Sequence, residues 1–389
     1  MTEADIEAAT ANYIDSLGAD ALAKAAAYTS GGHWLILGGL IVSAIVTFLI
    51  VRTGILARIE TRFGPSSARG IFLIGIVYSL LSTLFGLPWA IYSQWWRETG
   101  YDRTSQPLMD YLGQSAISTV ITTVMLSIFI LLLYLLIRKA GRTWWIWSGG
   151  LVAAFVTAIL LLGPVLIEPI FNTYEPVPEG EVRIALEEMA AEADIPSDRI
   201  FMFDGSRQSN NFTANVSGIG SSARIAISDV AFGEASLDEV KAVTGHEVGH
   251  YVLGHIWRIL AVLVGTAIVL FFLTNLLFSP VSRLFGASPN IAHPSSLPVL
   301  FFIIGALSTL ATPAQNAVTR IGENEADQYS LETVNLPDAL ASALVKTAEY
   351  RYPRPSGLQE ALFYTHPSVE KRVRRAMKWK AGQEQATAP

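Results

Sequence analysis

The sequence predicts a mostly α-helical, polytopic membrane protein, in which a transmembrane bundle or chamber carries a water-facing domain of helices and a small β-sheet. Of the 389 residues, 51% are hydrophobic and only 15% are charged, and the mean hydropathy is +0.40. Soluble proteins carry about a quarter charged residues, so this composition indicates an integral membrane protein. The long apolar runs form two groups, and the polar residues 169–258 lie between them.

Four apolar runs organise residues 1–168, which we expect to form an N-terminal membrane domain. About 20 apolar residues cross a bilayer as a helix, and each run comes close to that length. The acidic, Ala-rich residues 1–30 are expected to form a short amphipathic or frayed helix. The predicted spans lie near residues 34–51, 70–93, 115–137 and 143–167.

The water-facing domain is predicted in two parts. Prolines and charged residues mark its first half, residues 169–258, where residues 199–203 and 223–228 have strand character. A transmembrane hairpin follows over residues 259–316, with spans near 259–280 and 297–315. The second half and a basic C-terminal tail then occupy residues 317–389.

Charge and cysteine content restrict the partners and the kind of metal site. A net charge of −6 argues against a nucleic-acid partner. The chain has no cysteine, so any metal site must use histidine and carboxylate ligands.

His246-Glu247-Val248-Gly249-His250 carries the His-Glu-x-x-His pattern of a helical zinc site. On a helix, His246 and His250 lie one turn apart, about 40° from each other, so both imidazoles can reach one cation. Glu247 points elsewhere, as suits a general base that does not bind the metal. The alternative is a chance pattern on an ordinary surface helix.

Glu323 is the candidate for the third zinc ligand that a catalytic site requires. It follows the last predicted span, and Asp327 falls on the same helical face one turn later, where it could hydrogen-bond a ligand imidazole. Glu325 is expected to point away. A solvated acidic helix face is the alternative interpretation.

The remaining candidates include two histidines. The zinc helix is expected to continue without a break into the span near 259–280. His255 would then lie about 180° around that helix from His246 and would be an interface residue. His366 and Arg372 could stabilise the oxyanion of a tetrahedral intermediate, or His366 could be a loop residue beside a helix N-cap.

Several motifs together resemble the type I CAAX prenyl endopeptidases, which are integral-membrane zinc metalloproteases, and their bacterial homologues. Those of the membrane domain are Leu87-Pro88 through Tyr92-Ser93, Glu98, Gly100-Tyr101, Pro169-Ile170-Phe171-Asn172 and Pro176 to Glu179. Those of the zinc domain are the His246 to His250 motif, Arg320 to Asp327, His366-Pro367 and Arg372.

The resemblance implies a gluzincin-like domain that binds one zinc ion through His246, His250 and Glu323, with Glu247 as base and with His366 and Arg372 at the transition state. It also implies an edge strand that binds extended substrate, although Thr213 stands where the family has asparagine. From the residues alone, a polar loop with a hairpin turn is the favoured interpretation of this segment. The candidate substrate-binding residues are Asn211, Thr213, Ala214, Asn215 and Gly218.

The resulting hypothesis is a membrane-embedded zinc metalloendopeptidase that uses zinc-activated water. Its expected partners are the lipid bilayer and a peptide or protein substrate that is prenylated or membrane-associated. A quality-control membrane protease without a prenyl requirement is one alternative, and a non-catalytic scaffold or transporter with a structural metal site is another.

Topology and orientation rest on two competing patterns. Family members have five spans before the zinc helix, whereas four are predicted here, so one span is missing or residues 1–30 take part of its role.

The arginines of residues 52–69 and 138–142 favour a zinc domain outside the cell. The resemblance and the basic segment 371–380 favour a multi-pass protein whose zinc domain faces the cytoplasm, and this is the orientation we expect.

Overall fold

The computed structural model describes residues 1–218, 220–346 and 351–387. The first half of the chain is helical. Its helices are α1 (Glu3–Asp15), α2 (Gly18–Thr53), α3 (Ile55–Phe63), α4 (Ala68–Ala90), α5 (Arg97–Gly100), α6 (Leu108–Ala140), α7 (Trp144–Leu162) and α8 (Glu168–Phe171).

The described residues of the second half form four strands and eight further helices. The strands are β1 (Tyr174–Pro176), β2 (Ile200–Phe203), β3 (Ala214–Ser217) and β4 (Arg224–Ser228). The helices are α9 (Glu181–Glu192), α10 (Val230–Glu234), α11 (Leu237–Val252), α12 (His255–Phe285), α13 (Leu297–Thr333), α14 (Pro337–Lys346), α15 (Gly357–Phe363) and α16 (Val369–Thr387).

Five helical segments of the described chain are long and apolar enough to cross a membrane: Gly18–Thr53, Ala68–Gly100, Leu108–Phe171, His255–Phe285 and Pro294–Thr333. The third contains both α6 and α7, which a single 3-10 turn connects. Large apolar side chains from α4, α6, α7, α12 and α13 form one buried core in this bundle. Many other apolar side chains on the same helices are exposed, as expected for surfaces that face lipid.

The sheet has the strand order β1-β2-β4-β3, with β2 parallel to β4 and the other pairs antiparallel. The two strands expected from the sequence correspond to β2 and β4. Every residue of β4 is buried, and α9 and α11 pack against the sheet in one apolar cluster. The polar segment after residue 209 contains β3, which forms one edge of the sheet.

The zinc helix is interrupted, so the expectation of a continuous helix into the membrane is wrong. α11 ends at Val252 and α12 begins at His255. Gly254 between them has φ 65°, a left-handed conformation that costs glycine little and other residues more. The chain therefore changes direction before it becomes apolar.

The N-terminal helix α1 belongs to the water-facing domain. Its Thr2 cap and Asp5 form a reciprocal capping box. Ile6 and Ile14 are buried in a cluster with residues of α14 and α16. α1 therefore does not replace a missing membrane span, and α2 starts at Gly18, well before the apolar run near 34–51.

Candidate metal centre

Three side chains that the sequence singled out converge at one point between α11 and α13. Nε2 of His246 and Nε2 of His250 are 3.1 Å apart. The Glu323 carboxylate approaches both, at 3.3 Å from the first nitrogen and 3.4 Å from the second. The three ligand atoms that these residues offer all lie within 4.8 Å of one another, so one metal ion could contact all three.

The chemistry of this donor set fits a cation. Two imidazole nitrogens face each other, and Oε2 of Glu323 is buried without a hydrogen-bond partner in the described chain, which is costly unless something else neutralises it. Burial disfavours a charged His246, but the neighbouring carboxylates of Asp327 and Glu323 raise its pKa to about 9. The surroundings of His246 thus favour positive charge, and two histidines with one carboxylate are a common ligand set of catalytic zinc.

Asp327 contacts the His246 ring at the nitrogen that faces away from the convergence point: Nδ1 of His246 donates a hydrogen bond to Oδ1 of Asp327 at 3.0 Å. Arg372 makes two parallel contacts to the same carboxylate, at 2.8 Å from Nε and 2.6 Å from Nη2. Its Nη2 also lies 3.8 Å from Glu323. Asp327 therefore lies beside the His246 ring, and Arg372 lies beside both Asp327 and Glu323.

Glu247 lies beside the convergence point without joining it. None of the hydrogen bonds found in the described residues uses its carboxylate, which is consequently available to a water or a substrate. Burial raises the pKa of Glu247, because removing a carboxylate from water disfavours its charged form.

His366 reaches the same point from the loop before α16. Its Nε2 lies 3.3 Å from Oε1 of Glu323, and its Nδ1 is 2.8 Å from the Thr365 hydroxyl. Burial lowers its pKa to about 4, so the imidazole is neutral at pH 7. Arg320, one turn before Glu323, donates hydrogen bonds to the carbonyls of Glu360 and Tyr364 and so fixes this loop against α13.

Local sequence explains how α11 and α13 come close enough to form the site. Ser236 and Glu239 form the capping box that starts α11. A Cβ atom at Gly245 would lie 2.5 Å from Cγ2 of Val334, so only glycine allows this approach. The Ser330 hydroxyl donates to the Ala242 carbonyl at 2.7 Å and ties the two helices together.

A cavity of about 920 Å³ adjoins the metal centre. Its walls combine membrane-side apolar residues of α7, such as Ile159 and Leu160, with His250 and the end of β3. It therefore joins the face of α11 that carries His250 to the apolar bundle.

The candidate substrate-binding residues have different surroundings. Gly218 lines the cavity, together with Val216 and Ser217. Thr213 pairs with Ser228 of β4, and Ala214 and Asn215 continue that antiparallel ladder. Asn215 Oδ1 is buried and has no hydrogen-bond partner among the described residues. Asn211, before the strand, donates its N–H to the Ser209 hydroxyl.

Sequence reasoning missed three residues near the centre. His255 was placed far from the metal, yet its Nδ1 lies 2.7 Å from Nδ1 of His250. Glu325 is expected to point away from Glu323 and Asp327, and its carboxylate lies instead 3.0 Å from Nε2 of His255. Arg320 was noted only as part of a motif, although its spacing of one turn from Glu323 was a usable signal.

Comparison with known proteins covers nearly the whole chain. The sequence model of peptidase family M48 matches residues 176–380. A second model, described as CAAX prenyl protease N-terminal with five membrane helices, matches residues 6–173.

Individual relatives agree with both matches. An uncharacterized metalloprotease of Bacillus subtilis, YhfN, is 28% identical over 92% of this chain and 85% of its own length. The CAAX prenyl protease 1 of Saccharomyces cerevisiae is 28% identical over 79% of this chain and 71% of its own. The crystal structure of S. mikatae Ste24p superposes with a TM-score of 0.69 at 22% identity, covering 80% of this chain and 76% of that one. This last match confirms the predicted fold class.

Proposed function

Because this chain belongs to peptidase family M48 and is a multi-pass membrane metalloendopeptidase, we propose that it binds one zinc ion through His246, His250 and Glu323 and cleaves prenylated, membrane-associated peptides. The observation that carries the proposal is the convergence of three ligand atoms within 4.8 Å beside the partly buried Glu247. The scaffold, transporter and quality-control alternatives are not favoured by the family matches.

Zinc at this position would act as a Lewis acid that activates a water molecule and polarises the scissile carbonyl. Glu247 takes the proton from the attacking water, since its carboxylate is close to the ligands and has no competing hydrogen bond among the described residues. It later gives this proton to the leaving amine. Its raised pKa suits both steps, because a base that must also act as an acid works best with a pKa near the working pH.

His366 and Arg372 are assigned to the developing oxyanion. A neutral His366 donates one N–H toward the substrate without carrying a charge that would repel the metal. Arg372 adds positive charge, and its two bonds to Asp327 hold the guanidinium in place. Asp327 in turn keeps Nε2 of His246 free to bind the metal by accepting a hydrogen bond from the N–H at Nδ1.

Substrate is proposed to bind along β3, the edge strand that ends at the cavity. Main-chain pairing with the free side of β3 would place an extended peptide across the metal centre. We assign Asn211, Thr213, Ala214, Asn215 and Gly218 to this strand-addition surface. The apolar wall of the cavity would then receive the lipid carried by the peptide, in agreement with relatives named CAAX prenyl proteases.

The zinc domain is further proposed to face the cytoplasm. The basic helix α16 lies in the same domain as the metal centre, to which it contributes Arg372. The loops with Arg52 to Arg69 and Arg138 to Arg142 lie at the far end of the bundle and support the opposite orientation under the positive-inside rule. Labelling of single introduced cysteines in intact cells decides between the two orientations.

Replacing Glu247 with Gln tests the catalytic assignment. The purified full-length protein and the Glu247→Gln variant are assayed in detergent with a prenylated peptide and with the same peptide lacking the prenyl group. We expect one zinc per chain in both proteins, faster cleavage of the prenylated peptide by the original chain, and a loss of at least about 100-fold in the variant. Glu332→Gln, an exposed change on α13, is the matched control.

Each outcome bears on a separate part of the proposal. A chain without zinc, or a Glu247→Gln variant that cleaves at the original rate, would contradict the mechanism. Equal cleavage of the two peptides would contradict only the prenyl preference and would favour a broader peptide specificity.

A further inference from the structure

His255 occupies an unexpected position beside a proposed metal ligand. The left-handed Gly254 turns the chain between α11 and α12, and this turn brings His255 back toward His250. The two Nδ1 atoms lie 2.7 Å apart, and His255 is only 4% exposed. A buried imidazole so close to a ligand imidazole must share a proton with it.

The direction of that hydrogen bond follows from the metal position. If Nε2 of His250 binds the metal, its Nδ1 carries the ring proton and donates it to His255. His255 must then accept on Nδ1 and carry its own proton on Nε2. This Nε2 lies 3.0 Å from Oε2 of Glu325 without forming a hydrogen bond, so the second contact is mainly electrostatic. Arg258 holds the same Glu325 oxygen at 2.6 Å.

We propose that His255 is a positioning residue for the metal centre: it orients His250 through its Nδ1, and Glu325 and Arg258 keep His255 in the tautomer that accepts this bond. The inference rests on the proposed zinc site. His250 would thereby be oriented from α12, whereas His246 is oriented from α13 by Asp327. The two ligand histidines of one helix are thus held by different partners from different helices.

The contribution expected from such a partner is measurable. Groups that hydrogen-bond the far nitrogen of a metal-bound histidine typically change metal affinity by about 10- to 100-fold. Glu325 acts one step further away and through a weaker contact, so its removal should have a smaller effect. A residue that only filled space would leave the metal affinity unchanged once the protein had folded.

Two substitutions of similar size separate the hydrogen bond from packing. His255→Leu removes the acceptor, whereas His255→Asn places an amide oxygen near the position of Nδ1. Zinc affinity is measured on purified full-length protein by competition with a chromogenic chelator, and thermal unfolding of the metal-free protein is recorded in parallel. We expect His255→Leu to bind zinc at least 10-fold more weakly, and His255→Asn to recover most of that loss.

Glu325 is the outermost residue in the series of contacts from His250 through His255. Its substitution supplies a second test that does not disturb the core. Glu325→Ala should weaken zinc binding several-fold, whereas Glu332→Ala, on the same helix but away from the centre, should not. Unchanged affinity in both His255→Leu and Glu325→Ala would overturn the inference while leaving the proposed function intact. If His255→Leu does not fold, unchanged affinity in Glu325→Ala together with weakened binding in His255→Asn would overturn it. Failure of the original chain to bind zinc would instead contradict the proposed function.

Discussion

At the scale of single residues, burial acts in opposite directions on the two titratable groups that face the reaction. It raises the pKa of Glu247 above the usual 4.5 and lowers the pKa of His366 to about 4. Both shifts have one cause, because a desolvated site disfavours a negative carboxylate and a positive imidazolium alike. The carboxyl is thereby made a better base, and the imidazole stays a neutral donor.

These pKa shifts predict which group limits the activity at low pH. Glu247 must be ionised to accept a proton, so kcat/KM should fall as the pH drops through a value above 4.5. His366 becomes protonated only near pH 4 and should not affect this fall in kcat/KM, which forms the acid limb of the pH profile. The pH dependence of peptide cleavage by the zinc-loaded protein measures the position of the limb.

His366→Leu supplies the control for that experiment. Removing one oxyanion donor should lower kcat by about 100- to 1,000-fold without moving the acid limb. An acid limb that shifted or disappeared in this variant would show that His366, and not Glu247, is the titrating group.

At the scale of elements, the metal centre depends on how closely α11 approaches α13. Gly245 makes the approach possible, and the Ser330 hydroxyl fixes its register through the Ala242 carbonyl. Two ligands come from α11 and the third from α13, so a small separation of these helices would pull the donor set apart.

Gly245→Ala should therefore destabilise the protein although alanine favours helices. Alanine is about 1 kcal/mol better than glycine in a helix interior, but the added Cβ would lie 2.5 Å from Val334 and 3.1 Å from Ser330. Such overpacking costs about 1–3 kcal/mol. We expect a lower melting temperature and weaker zinc binding, measured by thermal unfolding and chelator competition.

Shortening the Val334 side chain tests whether its contact with the added Cβ causes the destabilisation. In a Val334→Ala background the clash is removed, so adding Gly245→Ala should be neutral or stabilising. A Gly245→Ala change that had the same effect in both backgrounds would show that Val334 does not limit the approach of the helices.

The sequence could predict the parts of this site that depend on one helix at a time. The spacing of His246 and His250, and of Glu323 and Asp327, fixes their common faces wherever the helices lie. His255 was misplaced because a single glycine breaks the helical periodicity on which its angle depended. β3 could not be distinguished from a polar loop, since its four residues are too few and too polar to show alternation and are specified by pairing with β4.

At the scale of the whole molecule, the two ends of the chain meet in the water-facing domain. α1, α14 and α16 share one apolar cluster, although α1 lies at the opposite end of the chain from α16. At the far end of the bundle, His293 contacts Glu60 at 2.5 Å, and Arg138 donates to the Ala292 carbonyl at 3.3 Å. The basic loops near residues 52–69 and 138–142 therefore gather on the side away from the metal.

This arrangement allows the orientation to be measured with two labels. The chain has no cysteine, so Arg142→Cys and Gly382→Cys each introduce a single thiol, at exposed positions on the far side and on α16 respectively. If the metal centre faces the cytoplasm, a membrane-impermeant maleimide should label only the Arg142→Cys variant in intact cells and both variants after permeabilisation. Retained peptide cleavage would show that each variant is folded. The reverse pattern in intact cells would mean that the arginine-rich loops determine the orientation and that this protease acts outside the cytoplasm.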